Sequence, residues 1–116
     1  MAPRLRQIAT GRITLTRTIK TMGLSEAAVD AKTTAILPVH LYGQLCDMHA
    51  LRAIADRHQL RIVEDGAQAH GARRDGYACG AIGDVRTFSF YVTKNLGAAG
   101  EGGMLLSNQE LAAIAL

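Results

Sequence analysis

Two short apolar runs separated by a stretch of helical period constrain the fold of this chain most. Thr34-Ala35-Ile36-Leu37-Pro38-Val39 is continuous and apolar, the pattern of a strand buried on both faces of a parallel sheet. Pro38 cannot donate to a ladder and belongs near that strand's end. Leu60-Arg61-Ile62-Val63-Glu64-Asp65 reads as the second strand. Between them, Asp47 is placed to cap a helix. Met48, Leu51, Ile54 and Ala55 recur on one side of it, and Arg52, Asp56 and Arg57 fall on the other. Strand, helix and strand make a βαβ unit with an expected right-handed crossover. In open α/β sheets, ligands bind beyond the carboxyl ends of the strands. Asp65 and the loop His40-Leu41-Tyr42-Gly43-Gln44 therefore share the edge expected to carry chemistry.

Downstream of Asp65, Gly66 to Ala72 are mostly small residues that let a ligand approach the backbone. Arg73-Arg74-Asp75-Gly76-Tyr77 reads as an exposed turn, and Gly80 to Asp84 as another, leading into a strand from Val85 to Phe90. The run Phe88-Ser89-Phe90-Tyr91-Val92 then stops near a single lysine, Lys94. A glycine-rich segment to Gly103 and a second apolar run, Met104-Leu105-Leu106, follow. This is strand, loop, strand, with Lys94 on the loop. Beside apolar surface an ammonium is poorly solvated, and desolvation moves a lysine pKa from about 10.4 toward neutrality. The neutral amine is the form that makes a Schiff base with an aldehyde. Taken alone, the stretch reads more simply as holding a solvated loop lysine.

The two ends are less informative. Met1 to Lys20 are basic, Thr-rich and free of acids. That composition has some likeness to an organellar transit peptide. A leftover of a truncated reading frame, or a surface strand around Ile13-Thr14-Leu15-Thr16, is the preferred reading. Ser25 is placed to cap a short helix from about 24 to 29, and Asn108 to cap one starting at Gln109. The expected division is a basic N-terminal segment, 1–25, and an α/β unit, 26–116.

A chain of 116 residues holds one small domain. At 48% hydrophobic and 20% charged it is globular rather than disordered. With aromatic residues at 4%, no Trp, and a net charge of +3 that comes mostly from the first 20 residues, it offers no nucleic-acid surface. Cys46 and Cys79 form no CxxC pair, which argues against a zinc site or a disulfide scaffold and fits a reducing compartment, here expected to be the cytoplasm. No apolar run approaches the roughly 20 residues that span a bilayer.

Four segments, in order, carry a resemblance. They are Pro38-Val39-His40-Leu41-Tyr42-Gly43-Gln44, Glu64-Asp65-Gly66-Ala67-Gln68-Ala69-His70-Gly71-Ala72, Phe88-Ser89-Phe90-Tyr91 through Lys94-Asn95-Leu96-Gly97, and Glu101-Gly102-Gly103. From about Lys32 onward the chain resembles the large domain of fold-type-I pyridoxal-phosphate enzymes, and more narrowly the DegT/StrS-type sugar aminotransferases. The resemblance implies a three-layer αβα fold with a mostly parallel sheet, present here as an incomplete piece. It implies pyridoxal 5'-phosphate as cofactor and transamination of a nucleotide-linked keto-sugar with an amino-acid donor. A homodimer is expected of the full-length family, with no nucleic acid or membrane as partner.

The resemblance also implies roles. Asp65 would keep the cofactor's ring nitrogen protonated, where the plain alternative is a turn or cap aspartate. Gln68 would bond the phenolic oxygen; the alternative is a surface amide. Ser89 would donate to the phosphate; the alternative is a hydroxyl bonded to nearby backbone. Lys94 would form the internal aldimine and then carry the proton between substrate and cofactor carbons. Dehydratases of the family have histidine in its place, so a lysine favours transamination. His40, Tyr42 and His70 lie near the same edge without an assigned role.

Two departures stand out. Gly66 occupies a position where the resemblance leads one to expect a small residue with a methyl, so the ring is expected to pack less tightly. Family members are also several times longer. The first phosphate-binding turn, a ring-stacking aromatic and a small domain have no counterpart here, so unpaired edges and exposed apolar surface are expected. The alternative function is therefore an inactive remnant that acts as an interaction or cofactor-binding fragment. A phosphate-binding loop of the P-loop kind fits poorly, because the glycines follow the lysine instead of preceding it.

Overall fold

The computed structural model describes residues 26–107. The expectations for residues 1–25, for Ser25 as a cap, for Asn108 and for a helix from Gln109 lie outside the described residues. Six strands and one α-helix follow a short 3₁₀ turn: β1 (Ala35–Ile36), α1 (Met48–Arg57), β2 (Arg61–Asp65), β3 (Arg73–Arg74), β4 (Tyr77–Ala78), β5 (Val85–Ser89) and β6 (Gly103–Ser107). The main sheet has the order β1-β2-β5-β6. β1 and β5 both run parallel to β2, while β6 returns antiparallel against β5. The expected βαβ unit is present. β1 is shorter than the apolar run because Pro38 has no N–H to give. Pairing resumes at Val39, through a single bridge to Asp65.

Helix α1 forms where its pattern places it. Asp47 accepts a hydrogen bond from the Ala50 N–H at 3.0 Å, which satisfies one of the four N–H groups that a helix start leaves open. Met48, Leu51, Ile54 and Ala55 are buried and join Ile36, Leu60 and Ile62 in one core. Tyr77 departs from the exposed turn expected of 73–77. Asp75 and Gly76 do form the tip of the β3–β4 hairpin, both with positive φ. The Tyr77 ring instead turns inward: its hydroxyl donates to the Cys46 carbonyl at 2.8 Å and accepts the Met48 N–H at 3.2 Å. An open donor of the first helical turn thus finds its partner 29 residues away.

Asp84 fastens the sheet to the helix. Its carboxylate accepts the Ile62 N–H at 2.7 Å and the Arg52 guanidinium at 3.0 Å, and its own N–H donates to the Ile62 carbonyl at 2.9 Å. β2 is thereby locked to the start of β5. The last strand of the sheet is exposed. Met104, Leu105 and Leu106 of β6 are 41%, 56% and 41% exposed. Successive strand residues face opposite ways, so both faces of β6 are open. The exposed apolar surface expected from the sequence is present on β6. Among the described residues, no helix is long and apolar enough to cross a membrane.

Tyr77→Phe keeps the ring and removes both hydroxyl bonds. It should lower the unfolding free energy by about 1–3 kcal/mol, the cost of stranding a buried donor and acceptor. Urea unfolding checks this, with the m-value unchanged.

Candidate functional site

Parallel pairing of β2 with β5 brings the expected site residues to one edge. Asp65 pairs with Thr87, so Asp65 and Ser89 lie at the carboxyl ends of neighbouring strands. Gln68 sits on the loop after β2, and Lys94 on the loop after β5.

Each is held differently. Asp65 is fixed by its backbone, which accepts the His40 N–H at 3.0 Å and donates to the Pro38 carbonyl at 2.9 Å. Its Oδ1 accepts the Ala67 N–H at 2.9 Å, which closes an Asx-turn. Among the described residues, Oδ2 has no hydrogen-bond partner. Gln68 accepts the Tyr42 N–H at 2.8 Å through Oε1. A backbone N–H can only donate, so the amide oxygen faces Tyr42 and the NH₂ end is left as a donor. Tyr42 holds this position at φ 56°, a left-handed conformation uncommon outside glycine. Ser89 accepts the Tyr91 N–H at 3.3 Å through Oγ. That is the local backbone bond of the plain reading, and it leaves the hydroxyl proton available.

The Lys94 loop is drawn in by its own backbone. Phe90 donates to Gly102 at 2.7 Å, Ala98 donates to Phe90 at 2.8 Å, and Lys94 donates to Tyr91 at 2.8 Å. Gly97 lies so close to Val92 that a Cβ there would come within 2.7 Å of the Val92 carbonyl oxygen. Lys94 is half-buried among exposed neighbours that include Val92 and Leu96. Beside it is a depression of about 420 Å³ lined by Phe90, Asn95, Leu96, Gly97 and Ala98.

Behind this edge lies a pair that the sequence did not single out. His40 and Glu64 are both essentially without exposure, and His40 Nε2 meets Glu64 Oε2 at 2.9 Å. Glu64 also accepts backbone N–H groups from Gly80 at 2.8 Å, from Ile82 at 3.2 Å and from Gly83. Gly83 is required: a Cβ there would come within 2.7 Å of Glu64 Cγ. Burial works to raise the Glu64 pKa, but the bonds from His40, Gly83 and Gly80 outweigh it and hold the carboxyl below its ordinary value. On His40, burial opposes a charge while the Cys46 and Glu64 side chains favour one, a balance that would put the ring at about 9. The geometry argues against a charged ring. Nδ1 accepts the Cys46 N–H at 3.2 Å, and a proton on Nδ1 would destroy that bond. We assign an ionised Glu64 and a neutral His40 carrying its proton on Nε2. The sequence signal was alternation: Ile62 and Glu64 share the core face of β2, and a carboxylate there needs partners.

Cys79 lies near this pair, and atoms of His40, Glu64 and Cys79 fall within 4.8 Å of one another. A metal is a poor fit. A carboxylate offers about four acceptor positions, and those of Glu64 are taken by His40, Gly80, Ile82 and Gly83. Burial, then the nearby Glu64 and Asp65 charges, push the Cys79 thiol up to about 11, so the thiolate that would bind metal is suppressed. Gly66 is also tighter than expected. A Cβ there would come within 2.7 Å of the Phe88 ring and 2.8 Å of Cys79 Sγ, so the missing methyl's place is already filled. His70 leans against Phe88 and Phe90, with ring centroids at 5.4 and 5.6 Å. Neither of its buried ring nitrogens has a partner among the described residues.

Residues 16–115 match the model of the DegT/DnrJ/EryC1/StrS aminotransferase family. A dTDP-3-amino-3,4,6-trideoxy-alpha-D-glucose transaminase of Micromonospora megalomicea subsp. nigra is 59% identical over 93 residues, which are 80% of this chain and 25% of that protein. Among solved structures, S. venezuelae DesV in complex with ketimine intermediate superposes with a TM-score of 0.74 at 54% identity, over 83% of this chain and 26% of that one. NtdA from Bacillus subtilis, solved with bound cofactor PMP, gives 0.70 at 39% identity, over 81% and 21%. These likenesses bear out the expected partial αβα fold. The chain spans about a quarter of the length of the curated relatives it matches.

Two outcomes follow from this geometry. Gly66→Ala should destabilise the chain by about 1–3 kcal/mol, because Phe88 and Cys79 must move to admit the methyl; thermal and urea melts read this directly. The second concerns pH. The folded Glu64 pKa lies below the unfolded value of 4.5, so its stabilisation is complete above pH 4.5 and is lost as pH falls through the folded value. The stability gap between wild type and Glu64→Gln should therefore narrow from pH 7 to pH 3. A gap that stays constant over that range would refute the assignment of an ionised Glu64.

Proposed function

Because the chain belongs to the DegT/DnrJ/EryC1/StrS aminotransferase family, we propose that it carries the cofactor-facing part of a pyridoxal-phosphate-dependent transaminase. The reaction moves an amino group from an amino-acid donor to a nucleotide-linked keto-sugar. The observation that carries this reading is a pair of polar groups near the strand ends with no partner among the described residues: the Gln68 NH₂, whose amide oxygen is taken by the Tyr42 N–H, and Oδ2 of Asp65. A donor and an anion on one edge suit a ring with a phenolic oxygen and a protonated nitrogen, so the residues present fit the cofactor.

Bound there, pyridoxal phosphate supplies an electron sink for charge developing on the substrate carbon. Asp65 holds the proton on the ring nitrogen through Oδ2. Gln68 donates to the phenolic oxygen. Ser89 donates its hydroxyl proton to the phosphate while still accepting the Tyr91 N–H. Lys94 would hold the cofactor through its amine and would move the proton at the substrate carbon. A second reading is favoured by the open faces of β6: a cofactor-binding fragment of a larger fold, without turnover of its own.

Incubation with pyridoxal phosphate, borohydride reduction and peptide mass mapping test both readings. The expected result is an adduct on Lys94 and none in Lys94→Ala. Asp65→Asn should weaken uptake at least about tenfold, the loss of one charge-assisted hydrogen bond. Failure of the wild type to take up cofactor defeats the cofactor reading. Uptake without amino-group exchange leaves the fragment reading standing.

A further inference from the structure

We propose that His40, clamped by Glu64, is a positioning residue for Gln68, acting through the backbone N–H of Tyr42. This rests on the cofactor reading above and concerns how the chain sets the direction of one donor.

The chain from 40 to 46 is wrapped around the His40 ring. Nε2 is fixed to Glu64 at 2.9 Å, and Nδ1 receives the N–H of Cys46 at the other end of the wrap. Both nitrogens are therefore used, and the ring sits in one tautomer and one orientation. Between its two anchored ends the wrap tightens into a turn. Gln44 N–H donates to the Leu41 carbonyl at 3.1 Å, and Tyr42 is driven to φ 56° while its side chain stays 82% exposed. An exposed tyrosine gains nothing from packing in that conformation, so the backbone geometry is imposed by the anchors. In that conformation the Tyr42 N–H reaches Gln68 Oε1 at 2.8 Å.

An amide side chain is symmetrical in shape and opposite in polarity, so without a fixed partner it presents either end. The Tyr42 N–H removes that choice. Glu64 contributes rigidity from the other side, because its remaining bonds run to Gly80, Ile82 and Gly83, the turn that feeds β5. The His40 ring therefore stands on a node fixed to β2 and to that turn. A leucine or methionine at 64 would fill the volume but leave those N–H groups and the His40 donor without acceptors.

Affinity for pyridoxal phosphate, read by absorbance titration of the full chain, tests the proposal in a double-mutant cycle. His40→Gln and Gln68→Ala should each weaken binding at least about tenfold, the scale of a misdirected contact. In the Gln68→Ala background, His40→Gln should add less than about twofold, since it acts through the residue already lost. An ester in place of the Tyr42 backbone amide deletes the relaying N–H without constraining φ, which proline could not do at φ 56°, and should reproduce the His40 effect with the buried pair intact. Ile54→Val, which thins the same core by one methyl, should lower the melting temperature and leave affinity unchanged. Fully multiplicative effects of His40 and Gln68, or an Ile54→Val loss equal to that of His40→Gln, would overturn the proposal in favour of a purely structural histidine. Wild-type affinity in both His40→Gln and the Tyr42 ester would overturn it while leaving the cofactor reading intact. Absence of cofactor uptake by the wild type would bring down the cofactor reading and this proposal together.

Discussion

A carboxylate inside an apolar core is tolerated only when its hydrogen-bonding capacity is filled, and Glu64 fills its own entirely from within the chain. That requirement reaches well beyond one residue. It draws the turn before β5 against β2, holds His40 in a single tautomer, and shapes the turn that ends at Gln44. The neighbouring residue, Asp65, faces the opposite way along the strand and keeps one oxygen uncommitted. Two consecutive acids thus divide the work: one is fully bonded and hidden, the other is available at the edge.

The sheet is built asymmetrically around this centre. β1 and β2 carry helix α1 and most of the buried residues, while β5 is only half-buried and β6 is open on both faces. A strand with exposed apolar side chains on both faces is what a larger fold looks like when only part of it is in view. The relatives, about four times as long as the matched stretch, are consistent with that picture. The strand ends carrying Asp65 and Ser89 nevertheless belong to the paired part of the sheet, so their spacing is set by the β2–β5 ladder.

Much of this was legible in the residues. The period of Met48, Leu51, Ile54 and Ala55 marked the helix, and Asp47 marked its start. The apolar run up to Asp65 marked the second strand, and with it the functional edge. What was hidden depends on contacts between residues far apart in sequence. Tyr77 looked like part of a polar turn, and only the fold reveals that its hydroxyl serves the helix start. Glu64 sits beside Asp65 in the second strand, yet its burial follows from alternation along that strand and its partners lie far away in sequence. Gly66 read as a loose spot, because a sequence does not say which side chain fills a vacated space. The role of Tyr42 could not be read at all, since it belongs to a backbone N–H and not to the phenol.

The close approach of Gly83 to Glu64 ties two positions together across evolutionary time. A methyl at 83 intrudes on the acid, and a shorter or neutral side chain at 64 strands the amides that glycine lets come near. Drift at either position is therefore opposed unless the other changes with it. Lineages descended from this chain should keep or abandon the two residues as a unit, which makes the pair a sharper marker of shared ancestry in this turn than either residue alone.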